Sequence, residues 1–413
     1  MVSIGEKNYI LTTSHPRLLS FTLDDWTALG SEVSVSLYDR VAVLVGRNGA
    51  GKSAILEGFE AISSWVTGKN TRSRQFDSDS LPKKLNIEIL TPTERRLGCI
   101  FELIFQSNIT DNLDIDDSTN ETPEERELIL NERCQYIDGE KELLWTTEAG
   151  VTTLNNKNDP IVTILGNISS LRRSSFSESI RQQLPQEMQW VYAVLRGVRI
   201  LGKTPIRQTS KRRPSLLPVS SKGISSSVGL ADSLARKILR RQGEELDELE
   251  NICQRIGLGD NITIQKFISS GESKAKNEDK SEEYISSVLL DGINIGLLSD
   301  GTLRVLSILI EITASRSNWT TIIEEPEIQI HPGMLAKLLN EIETYTFDEN
   351  LILSTHSPQV VAWTSPEKIN LVYRNNGRTN IRKLHEDEMQ NVVQYLYEEG
   401  DLGDWVYSGI LDE

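Results

Sequence analysis

The sequence predicts an α/β protein in which a β-sheet is flanked by helices and a mainly helical subdomain is inserted. Three observations predict it. The apolar run 41–45 enters a glycine-rich loop, 46–53, and a helical pattern leaves it. Strand, helix, strand and helix patterns alternate across residues 303–353, which is typical of a parallel sheet covered on both faces. Between these regions the composition changes, so that residues 111–283 are predicted to form an insertion.

The N-terminal part consists of short strands around the first helix. Apolar residues of that helix recur at 55, 56, 59, 62, 65 and 66, and form one stripe. Alternating apolar residues predict strands at 18–22, 33–37, 85–90 and 99–105. We expect residues 1–110 to form the first lobe of the main domain.

The middle of the chain carries opposite charges in different segments. Residues 111–127 are acidic and poor in apolar side chains, which indicates an exposed loop or the start of a helix. Residues 196–241 contain twelve Lys or Arg and one acidic residue, Asp232, a net charge of +11. We predict helices at 124–132, 182–197 and 230–256, an irregular segment at 204–227, and a polar loop at 271–283.

The C-terminal part, 284–413, returns to dense regular structure and is expected to complete the main domain. Asp291-Gly292 between two apolar runs predicts a hairpin. The predicted elements are strands at 284–290 and 293–298, a helix at 303–314, a strand at 320–323, a helix at 334–342, a strand at 351–353 and a hairpin at 372–378.

Composition excludes several classes of protein. The chain has 44 Lys and Arg against 60 Asp and Glu, a net charge of −16, which argues against general coating of nucleic acid while allowing a local basic face. Cys99, Cys134 and Cys253 have no metal-like spacing, so we predict neither a disulfide framework nor a zinc site. With no signal pattern and no long apolar run, the expected location is cytoplasmic.

The loop at 46–53 predicts a nucleotide site. Its residues are Gly46, Arg47, Asn48, Gly49, Ala50, Gly51, Lys52 and Ser53. A G-x-x-x-x-G-K-S pattern between a strand and a helix lets backbone N–H groups converge on a phosphate. Lys52 supplies a charge for the β- and γ-phosphates, and the Ser53 hydroxyl is a suitable oxygen ligand for Mg²⁺. The alternative is a glycine-rich turn without a ligand.

Two further segments supply polar groups beside that loop. Leu298–Arg304 is a polar turn that opens a helix, and Ser299 is placed to donate to a γ-phosphate; on its own this is an ordinary helix cap. The strand 320–323 ends in Glu324 and Glu325. Carboxylates at the carboxyl end of a parallel strand lie beside the phosphate loop, so Glu324 is assigned to the metal and Glu325 to a water. A solvated acidic strand end is the alternative.

A third segment, 351–358, places His356 directly after a buried strand, where an imidazole can report a γ-phosphate. A structural histidine is the alternative. His331, which precedes Pro332, either contributes across an interface or begins the next helix.

Together these segments resemble the ABC-type ATPase superfamily, and most closely its soluble branch of RecF-like, SMC-like and OLD-family ATPases. The phrases LSDGTLR, EEPEIQIHP and STHSP are similar to ATPases of prokaryotic anti-phage systems, Septu-like or related. The resemblance implies a P-loop NTPase head with a mixed sheet, and ATP and Mg²⁺ as ligands. It also implies that Lys52 and Ser53 are Walker A residues, that Glu325 is the catalytic glutamate, and that His356 is the switch histidine.

The same resemblance implies that Ser299 and Gly301 are signature residues, which complete the site of a second copy in an ATP-sandwiched homodimer. Two departures from the family pattern stand out. Glu324 replaces the usual metal-shell aspartate, and Asp300 brings a charge into the signature. That charge either points away from the anion or is offset, and Arg304 is the candidate for the offset. The glutamine that normally links the site to the variable domain has two candidates, Gln75 and Gln106.

The expected function is an ATPase that switches a partner effector, a nuclease or toxin, in phage defence. No nuclease triad is recognisable after His356, so no nuclease activity of its own is expected. One rival is a DNA-repair or chromosome-maintenance ATPase acting on DNA; another is a non-hydrolysing, nucleotide-gated scaffold. A transporter subunit is a third, although the insertion is longer than that role needs. The basic stretch 196–241 fits nucleic acid, an acidic partner or a solvated linker equally well.

Overall fold

The chain is described by a computed structural model. The described residues are 15–69, 81–107, 126–148, 151–154, 161–164, 171, 184–201, 215–218, 229–268, 284–314, 320–384 and 388.

Strands and helices alternate along these residues. The strands are β1 (Arg17–Asp24), β2 (Val33–Ser36), β3 (Val41–Val45), β4 (Lys84–Leu90), β5 (Arg96–Ser107), β6 (Arg126–Tyr136), β7 (Leu143–Glu148), β8 (Val151–Leu154), β9 (Ile161–Ile164), β10 (Val198–Leu201), β11 (Leu217–Pro218), β12 (Ile262–Ile268), β13 (Tyr284–Leu290), β14 (Ile293–Asn294), β15 (Thr320–Glu324), β16 (Asn350–Thr355), β17 (Ile369–Asn375) and β18 (Arg378–Lys383). The helices are α1 (Lys52–Thr67), α2 (Gln186–Arg196), α3 (Leu230–Leu239), α4 (Glu244–Ile256), α5 (Asp300–Ile312), α6 (Pro332–Tyr345) and α7 (Pro358–Trp363).

A six-stranded sheet forms the centre of the fold, in the order β10-β15-β16-β3-β17-β18. All neighbours are parallel except β17 and β18, which form an antiparallel hairpin. Alternate residues of each strand are buried on opposite faces: Ala42 and Leu44 pack with α1 and α2, whereas Val43 and Val45 pack with α3 to α7. The predicted α/β class with a mixed sheet between helices is therefore confirmed.

Two other sheets adjoin the centre. An antiparallel sheet of eight strands runs β2-β1-β4-β5-β6-β7-β8-β9, and a small sheet runs β11-β13-β12 with β14 paired to β13. The rings of Phe21 on β1 and Phe59 on α1 stack with centroids 3.9 Å apart, which joins the large antiparallel sheet to the helix that follows the glycine loop. One hydrophobic core thus extends from the central sheet into the antiparallel sheet.

The predicted helix at 124–132 is wrong, because the structure has the strand β6 there. Strand β6 pairs along its whole length with β5, and Leu130, Glu132 and Cys134 alternate into the interior. Glu132 is tolerated because its carboxylate accepts a hydrogen bond from the Thr147 hydroxyl at 3.0 Å. The described part of 111–283 is therefore not mainly helical, since β6 to β12 lie there beside α2 to α4.

The predicted helix at 230–256 is divided in two. Helix α3 ends before Arg240, and α4 begins after Gly243, whose φ of 54° requires the left-handed region of the backbone. The helix at 182–197 and most strands and hairpins of both lobes are present close to the predicted positions. The predicted strand at 293–298 is wrong beyond Asn294, because a short 3-10 helix, Ile295–Leu297, follows the two residues of β14.

The proposed division at 110/111 and 283/284 stays a prediction. The eight-stranded sheet continues across the first boundary through β5 and β6, and β10 from the proposed insertion lies in the central sheet. The acidic loop 111–125, the segments 202–214 and 219–228, the polar loop 271–283 and Gln75 lie outside the described residues. In the part of the chain that the structure covers, every helix is too short or too polar to cross a membrane.

We predict that Phe59→Ala lowers the free energy of unfolding by about 3–5 kcal/mol, because it leaves a cavity under the stacked ring of Phe21. Phe347→Ala is the matched control, since the Phe347 side chain is 76% exposed. Urea denaturation of both variants measures the difference. Equal midpoints would contradict the role of this ring pair.

Candidate functional site at the carboxyl edge of the central sheet

The glycine loop is held between β3 and the β17–β18 hairpin. A Cβ atom on Gly46 would clash with the Val372 carbonyl oxygen, and one on Gly51 would clash with the Thr379 side chain. Gly51 also has a φ of 110°, which side-chain-bearing residues rarely adopt. The Thr379 hydroxyl donates to the Ala50 carbonyl at 3.1 Å. The loop conformation is thus fixed by close backbone approach.

Lys52 lies inside this loop and is only 5% exposed. Its Nζ donates to the carbonyl oxygens of Gly46 at 2.6 Å and of Arg47 at 3.2 Å. Burial lowers the pKa of Lys52, while the carboxylates of Glu325 and Glu327 raise it and so oppose that change. The ammonium group is therefore desolvated and faces the acidic end of β15.

Glu324 and Glu325 follow the buried part of β15. The Glu325 backbone has a φ of 44°, a strained value for a residue with a side chain, and its N–H donates to the Ser354 carbonyl at 2.8 Å. The Glu325 Oε1 atom lies 3.5 Å from Nδ1 of His356, which follows the adjacent strand β16. The two predicted catalytic side chains, from neighbouring strand ends, are thus close together.

Glu327 is a member of the site that the sequence reasoning missed. Its Oε1 accepts hydrogen bonds from the Thr355 hydroxyl at 2.7 Å and the His356 N–H at 3.1 Å, and lies 3.5 Å from the His356 Nδ1. Its Oε2 is buried and has no hydrogen-bond partner among the described residues. The sequence did carry a signal for Glu327: it is a third carboxylate, directly after Pro326, in the same segment as Glu324 and Glu325.

The turn that opens α5 packs against the acidic turn of the same chain. The Ser299 hydroxyl caps the helix by accepting from the Thr302 N–H at 3.1 Å, and a Cβ on Gly301 would clash with the Gln329 carbonyl oxygen. The Arg304 Nη2 donates to the carbonyl oxygens of Glu324 at 2.6 Å and Glu325 at 3.0 Å.

Arg304 therefore binds the acidic turn, and its role in offsetting the Asp300 charge stays a prediction. Burial lowers the pKa of Arg304, whereas Glu327, Glu325 and Glu324, in that order, raise it. A half-buried guanidinium next to three carboxylates partly neutralises them.

The structure brings Lys52, Glu325, Glu327 and His356 together, but it does not join them to Ser299. Among the described contacts, none links Ser299 or Gly301 to the glycine loop of the same chain.

The solvent-facing residues of the loop are Arg47, Asn48, Gly49 and Ser53. The Nδ1 atom of His331 accepts a hydrogen bond from the Gly333 N–H at 3.1 Å and so caps α6. Of the two roles predicted for His331, this is the start of the next helix. Nothing is described of the Gln106 side chain.

A magnesium ion bound with phosphate fits the oxygen donors at this edge. The Ser53 hydroxyl is exposed at the start of α1, Glu324 ends β15, and the buried Ser354 hydroxyl lacks a hydrogen-bond partner within the described chain. Hard oxygen ligands of this kind suit Mg²⁺, which usually keeps phosphate and water in its coordination shell. The described residues contain no cluster of three or more His, Cys, Asp or Glu that would hold a metal unaided.

The basic stretch 196–241 is not a continuous exposed surface where it is described. Arg199 and Arg241 are 9% and 7% exposed, and Lys237 forms an ion pair with Glu311. Arg199 and Arg241 are therefore buried inside the protein, and a contact of this stretch with nucleic acid stays a prediction.

Comparison with known families gives one match. A family model described as "AAA domain, putative AbiEii toxin, Type IV TA system" matches residues 41–362, from the first residue of β3 into α7. A search of curated protein sequences finds no significant match.

Solved structures similar to this chain include heads of SMC proteins. An SmcHead bound to the C-winged helix domain of ScpA has a TM-score of 0.42 and 12% identity, covering 90% of this chain and 99% of that one. An Smc head from Pyrococcus furiosus with an extended coiled coil, bound to the C-terminal domain of ScpA, has a TM-score of 0.40 and 11% identity. The match covers 92% of this chain and 100% of that one. The SMC head domain from Thermotoga maritima has a TM-score of 0.37 and 14% identity, and the match covers 89% of this chain and 99% of that one.

We predict that Gly301→Ala lowers the free energy of unfolding by about 1–3 kcal/mol, because the new methyl group has to displace the Gln329 carbonyl. Gly229→Ala is the matched control, since Gly229 also lies at the start of a helix and a Cβ there meets nothing within 4 Å. Thermal unfolding of the two variants checks this. Indistinguishable transitions would show that the turn before α5 is not packed against the acidic turn.

Proposed function

Because the chain belongs to the AAA-domain family described as "putative AbiEii toxin, Type IV TA system", we propose that it is an ATP-binding and ATP-hydrolysing switch subunit. In this proposal ATP joins two copies of the chain, and hydrolysis controls a partner effector, a nuclease or toxin, in anti-phage defence. The family description, which names a toxin, supports the defence setting.

The observation that carries the proposal is the meeting of Lys52, Glu325 and His356 at one edge of the sheet. The loop backbone N–H groups and the Lys52 ammonium bind phosphate oxygens, for which Lys52 exchanges its present bonds to the loop carbonyls. Glu325 orients a water and accepts its proton, and His356 contacts the terminal phosphate. Ser53 and Glu324 hold Mg²⁺, which neutralises charge on the phosphates when bound.

Glu327 acts as a positioning residue in this scheme. Its carboxylate receives the Thr355 hydroxyl and the His356 N–H, so it fixes the segment that carries the imidazole. The Glu325 and Glu327 carboxylates both lie 3.5 Å from Nδ1 of His356. The Nδ1 side of the imidazole therefore faces the acidic turn.

The proposed dimer gives the Ser299 turn a role in the nucleotide site of a second copy. Ser299 and the loop residue Ser53 both lie at helix N-termini, where unpaired N–H groups favour anions. No described contact joins these two turns in one copy. In the proposed dimer, the Ser299 turn of one copy completes the site of a triphosphate that the loop of the other copy binds.

Two alternatives remain distinct. A DNA-repair or chromosome-maintenance ATPase would bind DNA tightly and with strong salt dependence when isolated. A nucleotide-gated scaffold would bind ATP with negligible turnover. Measuring DNA affinity at several salt concentrations and ATP turnover beside oligomeric state separates both from the switch.

We predict that Lys52→Ala abolishes measurable ATP binding, because the loop loses its only buried cation in the described structure and the phosphates lose a charge-assisted bond. Lys337→Ala, which removes an exposed lysine of α6, is the control. Isothermal titration calorimetry with Mg·ATP measures both. Wild-type affinity in the Lys52 variant would refute the nucleotide site.

We predict that Glu325→Gln lowers ATP turnover at least ~100-fold, because the amide cannot accept a proton from water. The same variant should accumulate as an ATP-bound dimer, measured by size-exclusion chromatography with light scattering. Glu343→Gln, on the exposed face of α6, should behave as wild type. Turnover at the wild-type rate in the Glu325 variant would remove the role assigned to this residue.

A further inference from the structure

The β17–β18 hairpin has two faces with different surroundings. On one face Thr379 is fully buried, and its hydroxyl donates to the Ala50 carbonyl at 3.1 Å. Val372 lies on the same face and is 2% exposed. Successive side chains of a strand point in opposite directions, so the residues between these positions alternate to the other face. The inner face of the hairpin therefore contacts the glycine loop, and the outer face is directed away from it.

The outer face is polar and exposed. Tyr373 lies directly opposite Asn380, and Asn375 lies directly opposite Arg378, so these side chains share the outer face. Tyr373 is 44% exposed. A cavity of about 400 Å³ at the hairpin tip is lined by Asn375, Asn376, Arg378 and Asn380. These residues supply one aromatic ring, three amides and a guanidinium, and none of them is acidic.

The hairpin is basic, although the chain as a whole is acidic. Residues 368–383 contain five Lys or Arg and no Asp or Glu, in a chain with a net charge of −16. Two of these cations, Arg382 and Lys383, form ion pairs with carboxylates. No described carboxylate lies within ion-pair distance of Arg374 or Arg378, which are close to the turn of the hairpin. Positive charge that the chain does not neutralise favours a polyanionic partner.

Only the outer face of the hairpin tip is open to such a partner. The inner face packs on the loop, and the turn 26–31 covers β18 where the Thr379 N–H donates to the Leu29 carbonyl at 2.8 Å and the Ser31 hydroxyl donates to the Thr379 carbonyl. A two-stranded ribbon reads a duplex by entering its major groove, which is about 12 Å wide. A ribbon that is covered in this way is not free to enter a groove. An exposed sheet face instead suits unpaired bases, which stack on aromatic rings and offer their edges to amides.

We propose that the outer face of the hairpin binds single-stranded nucleic acid. An unpaired base stacks on Tyr373, and the backbone phosphates contact Arg378. The amides of Asn375 and Asn380 form hydrogen bonds with base edges beside the ring. An acidic protein segment would satisfy the positive charge but would leave the ring and the amides without a role. The glycine loop takes no part, so this surface is separate from the proposed ATP site.

Fluorescence anisotropy tests this inference with the full-length protein in the absence of ATP. The probes are a labelled single-stranded RNA, a single-stranded DNA of the same sequence and the corresponding DNA duplex. We expect the single strands to bind more tightly than the duplex, and a preference for RNA over DNA identifies a contact to the 2′-hydroxyl. Tyr373→Ser should weaken single-strand binding at least ~5-fold, because one stacked base is lost. Arg378→Ala should lower the slope of log affinity against log salt by about 1, because one phosphate contact is lost.

Phe347→Ser and Lys383→Ala are the matched controls. Phe347 is also an exposed aromatic residue, but it precedes β16 at the opposite edge of the central sheet. Lys383 is a cation of the same strand as Arg378, and its pairing with Asn370 places it on the other face of the hairpin. Both control variants should bind the single strands as the wild-type protein does.

Several outcomes would overturn the inference. Absence of single-strand binding by the wild-type protein is one, and equal or tighter binding of the duplex is another, since phosphate charge alone would then explain the affinity. Wild-type affinity in both the Tyr373 and the Arg378 variants would overturn it too. So would displacement of the RNA by polyglutamate of equal charge, which would indicate a surface for acidic protein segments. Because no ATP is present, none of these results bears on the proposed ATP site.

Discussion

The constraint on which the site depends is that a glycine loop cannot hold its own shape. Gly46 and Gly51 lack the side chains that would restrict them, and the loop is instead fixed by Val372 and Thr379 of the β17–β18 hairpin. The conformational freedom that glycine brings to the unfolded chain makes this ordering costly, and close contact with a rigid neighbour offsets the cost. A strand pair from near the end of the chain thus determines the geometry of a loop near its start.

The opposite end of the sheet is held by a buried network of charges. The Arg199 guanidinium donates to the Thr321 hydroxyl at 3.1 Å and lies 3.4 Å from Glu349 and 3.5 Å from Glu311. Burial lowers the pKa of Arg199, and Glu349 and Glu311 oppose this. Removing one member would leave an uncompensated buried charge. Because Glu311 lies on α5 and also pairs with Lys237 on α3, the network connects the helix that begins at the Ser299 turn to α3.

Sequence patterns were sufficient where local chemistry decides structure, and insufficient where a distant partner does. The loop 46–53, the Asp291-Gly292 hairpin and the alternating strands and helices of the C-terminal part each carry their own signal. Strand β6 carries no such local signal, since its charged residues fit a helix equally well. Its pairing with β5 and the hydrogen bond from Thr147 to Glu132 favour a strand, and both depend on distant residues. For the same reason Glu327 was missed: its partners, Thr355 and His356, come from another strand.

The acidic turn after β15 combines features that reduce stability. Glu325 has a left-handed backbone, a Glu327 oxygen is buried without a partner in the described structure, and three carboxylates lie close together. Strained backbone and unsatisfied buried oxygen each cost about 1–3 kcal/mol. The Lys52 ammonium and the Arg304 guanidinium offset part of this repulsion from opposite sides, one from the loop and one from α5. Arg304 also donates to the Glu324 and Glu325 carbonyls, so the helix that begins at the Ser299 turn holds the backbone of this turn as well as offsetting its charge.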